Sequence, residues 1–261
     1  MYAIVTGASS GIGLHYAEQL AREYKYDLLL VSNQPAELQQ VAEDLHARFG
    51  VETYALAMDL ATTDAAEQVF AFSREKQMDV EVLVNNAGIL IFDLLTRTDP
   101  KRMEIILHLH IVTLTKLCRL FGETMSERGK GFIINMSSMS AWTALPTIPL
   151  YNATKNYVLA FSKSLWYELM PKGVHVLAVA PGSTNTSLLP FPEKMGRLLL
   201  KTGVTMQPQT LVRRALRRLF RTKNKVYLSG AWSYVIVPFL KHLPNGLIFL
   251  VMRKMGFAPK K

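Results

Sequence analysis

The apolar positions fall into two kinds of segment that alternate along the chain. Short, nearly continuous runs occur at Ala3–Thr6, Leu28–Ser32, Thr53–Met58, Val80–Val84, Phe132–Met136 and Val174–Ala180. They are rich in Val, Ile and Leu and lack the apolar/polar alternation of a half-exposed strand, which predicts strands buried on both faces of a parallel sheet. Between them, apolar residues recur at helical spacing over Gly11–Tyr24, Pro35–Phe49, Ala65–Gln77, Pro100–Ser126 and Leu150–Met170. Strand and helix in strict alternation predict a doubly wound α/β fold. A last strand is expected at Lys225–Leu228, with helices packed after it. No internal repeat, low-complexity stretch or linker divides the chain, so residues 1–261 read as one domain.

Ligands of such a sheet bind at the carboxyl ends of the strands, so the residues following each strand carry the functional signal. After the first strand comes TGASSGIG, Thr6–Gly13, opening a helix. Gly7 permits a tight turn, Gly11 lets the backbone approach a pyrophosphate, and Gly13 lets helix and strand pack closely. The helix N-terminus offers free N–H groups to phosphate. The spacing is not that of a Walker loop, because no Lys-Ser/Thr follows. Gly7, Ser9, Ser10, Gly11, Ile12 and Gly13 are therefore candidate contacts of a dinucleotide.

The second strand ends in Ser32-Asn33, with no Asp or Glu to repel a ribose 2′-phosphate and no Arg to grip one. Absence of the acid favours NADP(H) over NAD(H). The third strand leads to Asp59-Leu60, where Asp59 either accepts from an adenine amino group or caps the helix beginning near Thr62. The fourth ends in NNAG, from which Asn85, Ala87 and Gly88 are candidate cofactor contacts. The fifth ends in NMSSMSA, with Ser137 and Ser138, and the sixth in PGSTNT, with Pro181, Gly182, Thr184 and Thr186. Thirteen residues past Ser138 stands YNATK, which places Tyr151 and Lys155 on one helix face.

Taken together, TGASSGIG, NNAG, the NMSS serine, YNATK and PGSTNT resemble the motifs of the short-chain dehydrogenase/reductase family, in family order and spacing. The softer similarity of the tail places the chain nearest the members grouped with 17β-hydroxysteroid dehydrogenases and 3-ketoacyl-CoA reductases. The resemblance implies a Rossmann-type fold with seven parallel strands and NAD(P)(H)-dependent interconversion of a carbonyl and a secondary alcohol. It makes Tyr151 the general acid/base, Lys155 its partner and cofactor anchor, and Ser138 the residue that orients the substrate oxygen. Thr186 would hold the nicotinamide carboxamide, and Asn85, Ala87 and Gly88 would line the adenosine and ribose side. The chemistry agrees. Carbonyl reduction needs an acid at hydrogen-bond distance, and a free tyrosine, with a pKa near ~10, is improved by an adjacent cation.

One position departs from the family. Where many members carry an asparagine that continues a proton path, aligning LHLHIVTLTKLC places His110, with His108 two residues away. His110 either breaks the relay, carries protons itself, or has no role.

Composition narrows the setting. Hydrophobic content of 49% and charged content of 19% suit a globular protein. The single cysteine, Cys118, builds neither an internal disulfide nor a multi-cysteine metal site, and a reducing compartment is expected. A strand-like start at Tyr2 leads to the expectation of no targeting segment, and no uninterrupted apolar run reaches the length of a spanning helix. Hence the expectation is a cytoplasmic protein.

The net charge of +10 is concentrated at one end: residues 197–261 hold 14 Lys/Arg and no Asp/Glu, leaving 16 basic and 20 acidic residues before them. Residues 187–261 are read as a substrate lid, with Leu188, Leu189, Phe191 and Met195, followed by a basic helical extension that includes the amphipathic TLVRRALRRLFR. The apolar lid points to a lipophilic substrate, and the similarity of the tail implies a ketone on an acyl or steroid-like skeleton. Trp232, Tyr234 and Phe249 with the basic residues fit peripheral contact with anionic membrane, or else complete the core or a subunit interface. Nucleic acid is disfavoured, since no recognition motif accompanies the charge. The family resemblance implies a homodimer or homotetramer. A non-catalytic dinucleotide-binding or sensor protein with an interaction tail is the competing reading, and His110 is its only support.

Overall fold

A computed structural model describes residues 1–143, 147–184, 205–230, 233–234, 237–238 and 244–254. The strands and helices run in chain order β1 Tyr2–Thr6, α1 Gly11–Tyr24, β2 Asp27–Ser32, α2 Pro35–Phe49, β3 Thr53–Ala57, α3 Ala65–Glu75, β4 Val80–Asn85, α4 Pro100–Leu107 and α5 Leu114–Arg128. They continue with β5 Gly131–Met136, α6 Pro149–Leu169, β6 Val174–Ala180, β7 Ser183–Thr184, β8 Thr205–Met206, α7 Pro208–Arg221, β9 Val226–Leu228 and α8 Asn245–Lys254. The main sheet has seven strands in the order β3-β2-β1-β4-β5-β6-β9, and every pairing is parallel. This is the doubly wound arrangement that the alternation of apolar runs predicts. The two-stranded β7–β8 ribbon was not expected, because two-residue strands leave no periodic signal.

The pleat sorts the strand residues into two cores. Ala3, Val5, Leu28, Leu30, Val82 and Val84 face α1, α2 and α7, whereas Ile4, Leu29, Val31 and Leu83 face α3, α5 and α6. A continuous Leu/Val run is the only pattern that serves both faces. The order of strands reverses between β1 and β4, which opens a crevice at their carboxyl ends. The Thr6 hydroxyl closes the bottom of that crevice. It donates to the Val84 carbonyl at 3.2 Å and accepts from the Asn86 and Ala87 N–H groups at 2.9 and 3.0 Å.

The long helix expected over Pro100–Ser126 is interrupted. A π-helical turn, His108–Thr113, separates α4 from α5 and turns His110 into the interior, where it is 1% exposed. The combined 29-residue stretch Pro100–Arg128 is, by length and composition, long and apolar enough to cross a membrane, which the broken apolar runs did not suggest. Its inner face packs against α3, β4, β5 and α6.

One polar network crosses the second core. Asn85 Nδ2 donates to Asn135 Oδ1 at 2.8 Å, Asn135 Nδ2 donates to Ser162 Oγ at 2.9 Å, and Ser162 donates to the Val158 carbonyl at 2.7 Å. Cys118 lies against the two asparagines and is fully buried, its thiol pushed up to about 12 by burial, so it behaves as a small apolar residue. Removing Asn135 strands two buried partners on β4 and α6. The Asn135→Ala variant is expected to lose about 2–4 kcal/mol of stability in urea denaturation; a loss under about 1 kcal/mol would mean the network is slack.

Candidate active site

The first strand turn has the shape a diphosphate requires. Gly7 sits at φ +65°, and a Cβ on Gly13 would lie 2.0 Å from the Gly7 carbonyl oxygen, so only glycine lets α1 begin this close to β1. No acidic residue occupies the first turn of α1, and the Ser10 side chain makes no capping hydrogen bond. The amides at that helix end are open to an anion. Asn86 pins the turn to β4 through Nδ2, which donates to the Thr6 and Gly7 carbonyls at 3.0 and 3.3 Å. The residues therefore fit a dinucleotide in the place expected from TGASSGIG.

The two adjacent asparagines divide their work. Asn85 ends β4 pointing into the core network, away from the turn, while Asn86 reaches the glycines. Asn86 and Thr6 were not among the candidate site residues. At the far side of the turn, Ser9 Oγ donates to Gln34 Oε1 at 2.6 Å and lies 2.9 Å from Ser32 Oγ, which in turn accepts from the Gln34 N–H at 3.3 Å. Gln34 joins Ser9 and Ser32 here, and none of the three members of the ring is charged; Asn33 is exposed. Asp59 accepts from the Ala61 N–H at 2.9 Å. This is a local Asx turn rather than a cap of α3, which begins six residues later with Asp64 before it. Leu60 is buried, and its carbonyl accepts from the Thr113 hydroxyl at 2.7 Å, fastening this loop to the π turn.

Ser138, Tyr151 and Lys155 converge from two elements. Ser138 begins the short turn after β5, with extended backbone, and its Oγ accepts from the Ser140 N–H at 3.2 Å. Its neighbour Ser137 is buried and donates to the Lys155 carbonyl at 2.7 Å, which docks α6 onto the end of β5. Of the two serines, 138 is the one beside the tyrosine, near enough for its hydroxyl to favour the phenolate. Lys155, 6% exposed, donates from Nζ to the Met136 carbonyl at 2.9 Å, and Nζ stands 5.6 Å from the centre of the Tyr151 ring.

Gly88 and His110 complete the cluster. A Cβ on Gly88 would meet His110 Nε2 at 2.7 Å and Lys155 Nζ at 3.6 Å, so the loop after β4 lies directly on both. His110 Nε2 accepts from the Ile89 N–H at 3.1 Å. Its Nδ1 is 2.9 Å from Thr154 Oγ1, and that hydroxyl already donates to the Tyr151 carbonyl at 3.1 Å. Nδ1 must therefore carry the proton and Nε2 the lone pair. The imidazole is neutral, and both nitrogens are engaged by protein.

Burial dominates the electrostatics. It pushes the Tyr151 phenol up, with the Ser138 hydroxyl working against it. It pushes the Lys155 ammonium down to about 7. The His110 imidazole is held well below its usual range by burial first and the Lys155 charge second. The expectation that Lys155 lowers the tyrosine's pKa is thus corrected for the chain by itself. Nζ bonds a carbonyl rather than the phenol, and desolvation drives each group toward its neutral form.

After β6, the Pro181 carbonyl accepts from the Met139 N–H at 2.8 Å, and the Gly182 N–H donates to Ser229 Oγ at 3.1 Å. Thr184 pairs in register with Met206 of β8. Thr186, the lid over 187–204 and Trp232 lie outside the described residues.

A family model for short chain dehydrogenase matches residues 1–194. The very-long-chain 3-oxoacyl-CoA reductase of Homo sapiens is 28% identical over 260 residues, covering 98% of this chain and 79% of its own. The solved short-chain dehydrogenase from Sphingobium yanoikuyae in complex with NADPH is 30% identical with a TM-score of 0.77, covering 98% of this chain and 94% of its own. The bulky-bulky ketone specific alcohol dehydrogenase from Comamonas testosteroni is 27% identical with a TM-score of 0.76, covering 98% and 92%. The matched span includes the glycine turn, the β4 loop and the Ser138–Tyr151–Lys155 cluster, and the chain belongs to the short-chain dehydrogenase family of NAD(P)-dependent oxidoreductases that interconvert alcohols and carbonyls.

Proposed function

We propose that the chain reduces an apolar ketone, on an acyl or steroid-like skeleton, with NADP(H) in preference to NAD(H), and that Tyr151 is its proton donor. The convergence of Ser138, Tyr151 and Lys155 on one buried point carries this reading. The uncharged Ser9–Ser32–Gln34 ring supports the cofactor preference, since it holds no carboxylate to repel a 2′-phosphate. The apolar substrate follows from the relatives named as acting on very-long-chain 3-oxoacyl-CoA and on bulky ketones.

Reduced nicotinamide, when bound, supplies the hydride. The chain does the rest. Ser138 Oγ and Tyr151 Oη both hydrogen-bond the substrate oxygen, and the proton moves from Oη. A phenol pushed up by burial begins the cycle protonated, which is the state a reduction needs. Lys155, poised at about 7, exchanges protons at neutral pH and would hold the ribose hydroxyls of the cofactor. His110 is a positioning residue: its fixed tautomer spans the Ile89 amide and the Thr154 hydroxyl, locking the β4 loop to α6 one turn from Tyr151. A neutral strut leaves the Ser138, Tyr151 and Lys155 set complete, which removes the support His110 lent to a non-catalytic protein.

In an assay of NADPH consumption over a panel of ketones, Tyr151→Phe is expected to lose roughly 10²–10⁴-fold in turnover while its NADPH affinity stays within about threefold. Equal turnover in that variant would end the proposal. For His110→Asn, which keeps one donor and one acceptor, the pH–rate profile should keep its wild-type shape even where kcat falls. A proton-relaying histidine would instead lose one ionisation from the profile, with Tyr151 and Lys155 the other titrating groups that face it.

Lys155 also sets a stability signature. Between about 7 and the ordinary 10.5, an unfolded chain holds a proton that the folded chain has released, so the folded state gains stability as pH rises through that window and bears the full burial penalty below it. Relative to wild type, Lys155→Met should therefore be at its best at pH 6 and lose ground by pH 9, by on the order of 5 °C in Tm difference. The lost Met136 bond adds an offset that does not vary with pH. A Tm difference constant across that range would mean that Lys155 is charged in the folded chain throughout.

A further inference from the structure

The strongest unexplained feature is a cavity of about 610 Å³ between α7 and β9, at the sheet edge. Arg214, Arg217, Arg218 and Arg221 line it from one face of α7, at positions i, i+3, i+4 and i+7. Tyr227 of β9 forms its inner wall, and Tyr234, 54% exposed, stands at its rim. The opposite face of α7 is apolar: Leu211, Val212, Ala215, Leu216 and Leu219 are buried in the core, which leaves the arginines no choice of side.

Residues 197–261 contain no Asp or Glu, and none of the four arginines forms an ion pair among the described residues. Arg218 is held against the Tyr227 ring, 4.5 Å from its centre. The Tyr227 hydroxyl is buried and has no hydrogen-bond partner of ordinary geometry, with the Arg214 guanidinium beside it. Arg214, Arg217 and Arg221 are exposed, so water and salt screen their mutual repulsion, and an anion that joins them removes what is left. Their planar forks match phosphate oxygens two at a time, and a cavity of this size accommodates a small-molecule ligand. This place is separate from the dinucleotide crevice, which lies at the carboxyl ends of β1 and β4.

We propose that the α7–β9 cavity binds an anion bearing one or more phosphate groups, with the guanidiniums of Arg214, Arg217 and Arg221 as its donors and the Tyr227 hydroxyl beneath them. That chemistry has two sources, a soluble phosphate ester or diphosphate and the phosphomonoester headgroup of a lipid. The site stands independently of the reaction at Tyr151.

The test uses the full chain with NADPH at saturation, so that the pyrophosphate site at α1 is filled. One arm titrates inorganic pyrophosphate and coenzyme A by calorimetry. The other measures flotation with phosphatidylcholine vesicles, with and without phosphatidate. Saturable binding in the first arm identifies a soluble ligand, and flotation dependent on phosphatidate identifies the lipid. In whichever arm responds, the pair Arg214→Gln and Arg217→Gln should weaken binding about tenfold or more, and Arg217→Lys severalfold, because charge is kept and the fork is lost. Arg213→Gln is the control: Arg213 is exposed on α7 and does not line the cavity, so its loss should change affinity less than about twofold. Circular dichroism melts confirm that each variant is folded; if the double variant is not, Arg217→Lys decides alone. Absence of binding in both arms, or equal weakening by Arg213→Gln and Arg217→Gln, overturns the site, since the latter is the behaviour of a diffuse positive field.

Discussion

The Thr6 hydroxyl is the joint on which the crevice depends. One oxygen at the end of β1 bonds three backbone groups of β4 and the loop after it, at the point where the order of strands reverses. Two parallel strands joined there would otherwise splay, because their connecting helices leave on opposite faces of the sheet. Asn86 extends the same joint to the glycine turn. The turn, the β4 loop and through Gly88 the His110–Lys155 pair thus form one rigid body, so the groups that would hold a cofactor and the groups that would move protons share a single frame.

Within that frame a single force shapes the reactive side chains. Loss of water moves a phenol up, an ammonium down and an imidazole down, and all three lie within one cluster. Among the described residues, no acidic neighbour opposes it. The site consequently rests with its charges suppressed, and charged or strongly polar groups arriving with a ligand would find little competing solvation. Among the described residues, hydrogen bonds rather than ion pairs hold the site: Lys155 to a carbonyl, His110 to an amide and a hydroxyl, Ser138 to an amide.

The sheet was legible because burial on both faces demands unbroken Val/Ile/Leu runs, and the glycine turn because φ +65° at Gly7 and the lack of room for a Cβ at Gly13, 2.0 Å from the Gly7 carbonyl oxygen, exclude side chains. Ser138, Tyr151 and Lys155 were legible through the family resemblance, since their motifs stand in family order and at family spacing. Asn85 was misplaced, though strand parity could have corrected it: it shares a face with Leu83, which looks into the core beside Cys118. The π turn was not legible. Six residues are too few for a change of helical period to register, and the sequence HLHIVT reads as ordinary helix. The suppressed ionisation of Lys155 was beyond reach as well, since desolvation is set by chain segments distant in sequence and not by the neighbours of a lysine on its own helix.

The π turn also fixes the rotational phase of two helices. Each residue in a helix advances it by about 100°, and a wider turn absorbs one more residue than an α-turn over the same rise. With that extra residue, α4 presents Ile106 to the interior while α5 presents Leu114, Leu117 and Phe121. Loss of any one residue from this stretch would leave α5 seated and swing α4 by roughly a quarter-turn about its axis. Its length is therefore under tighter constraint than its composition.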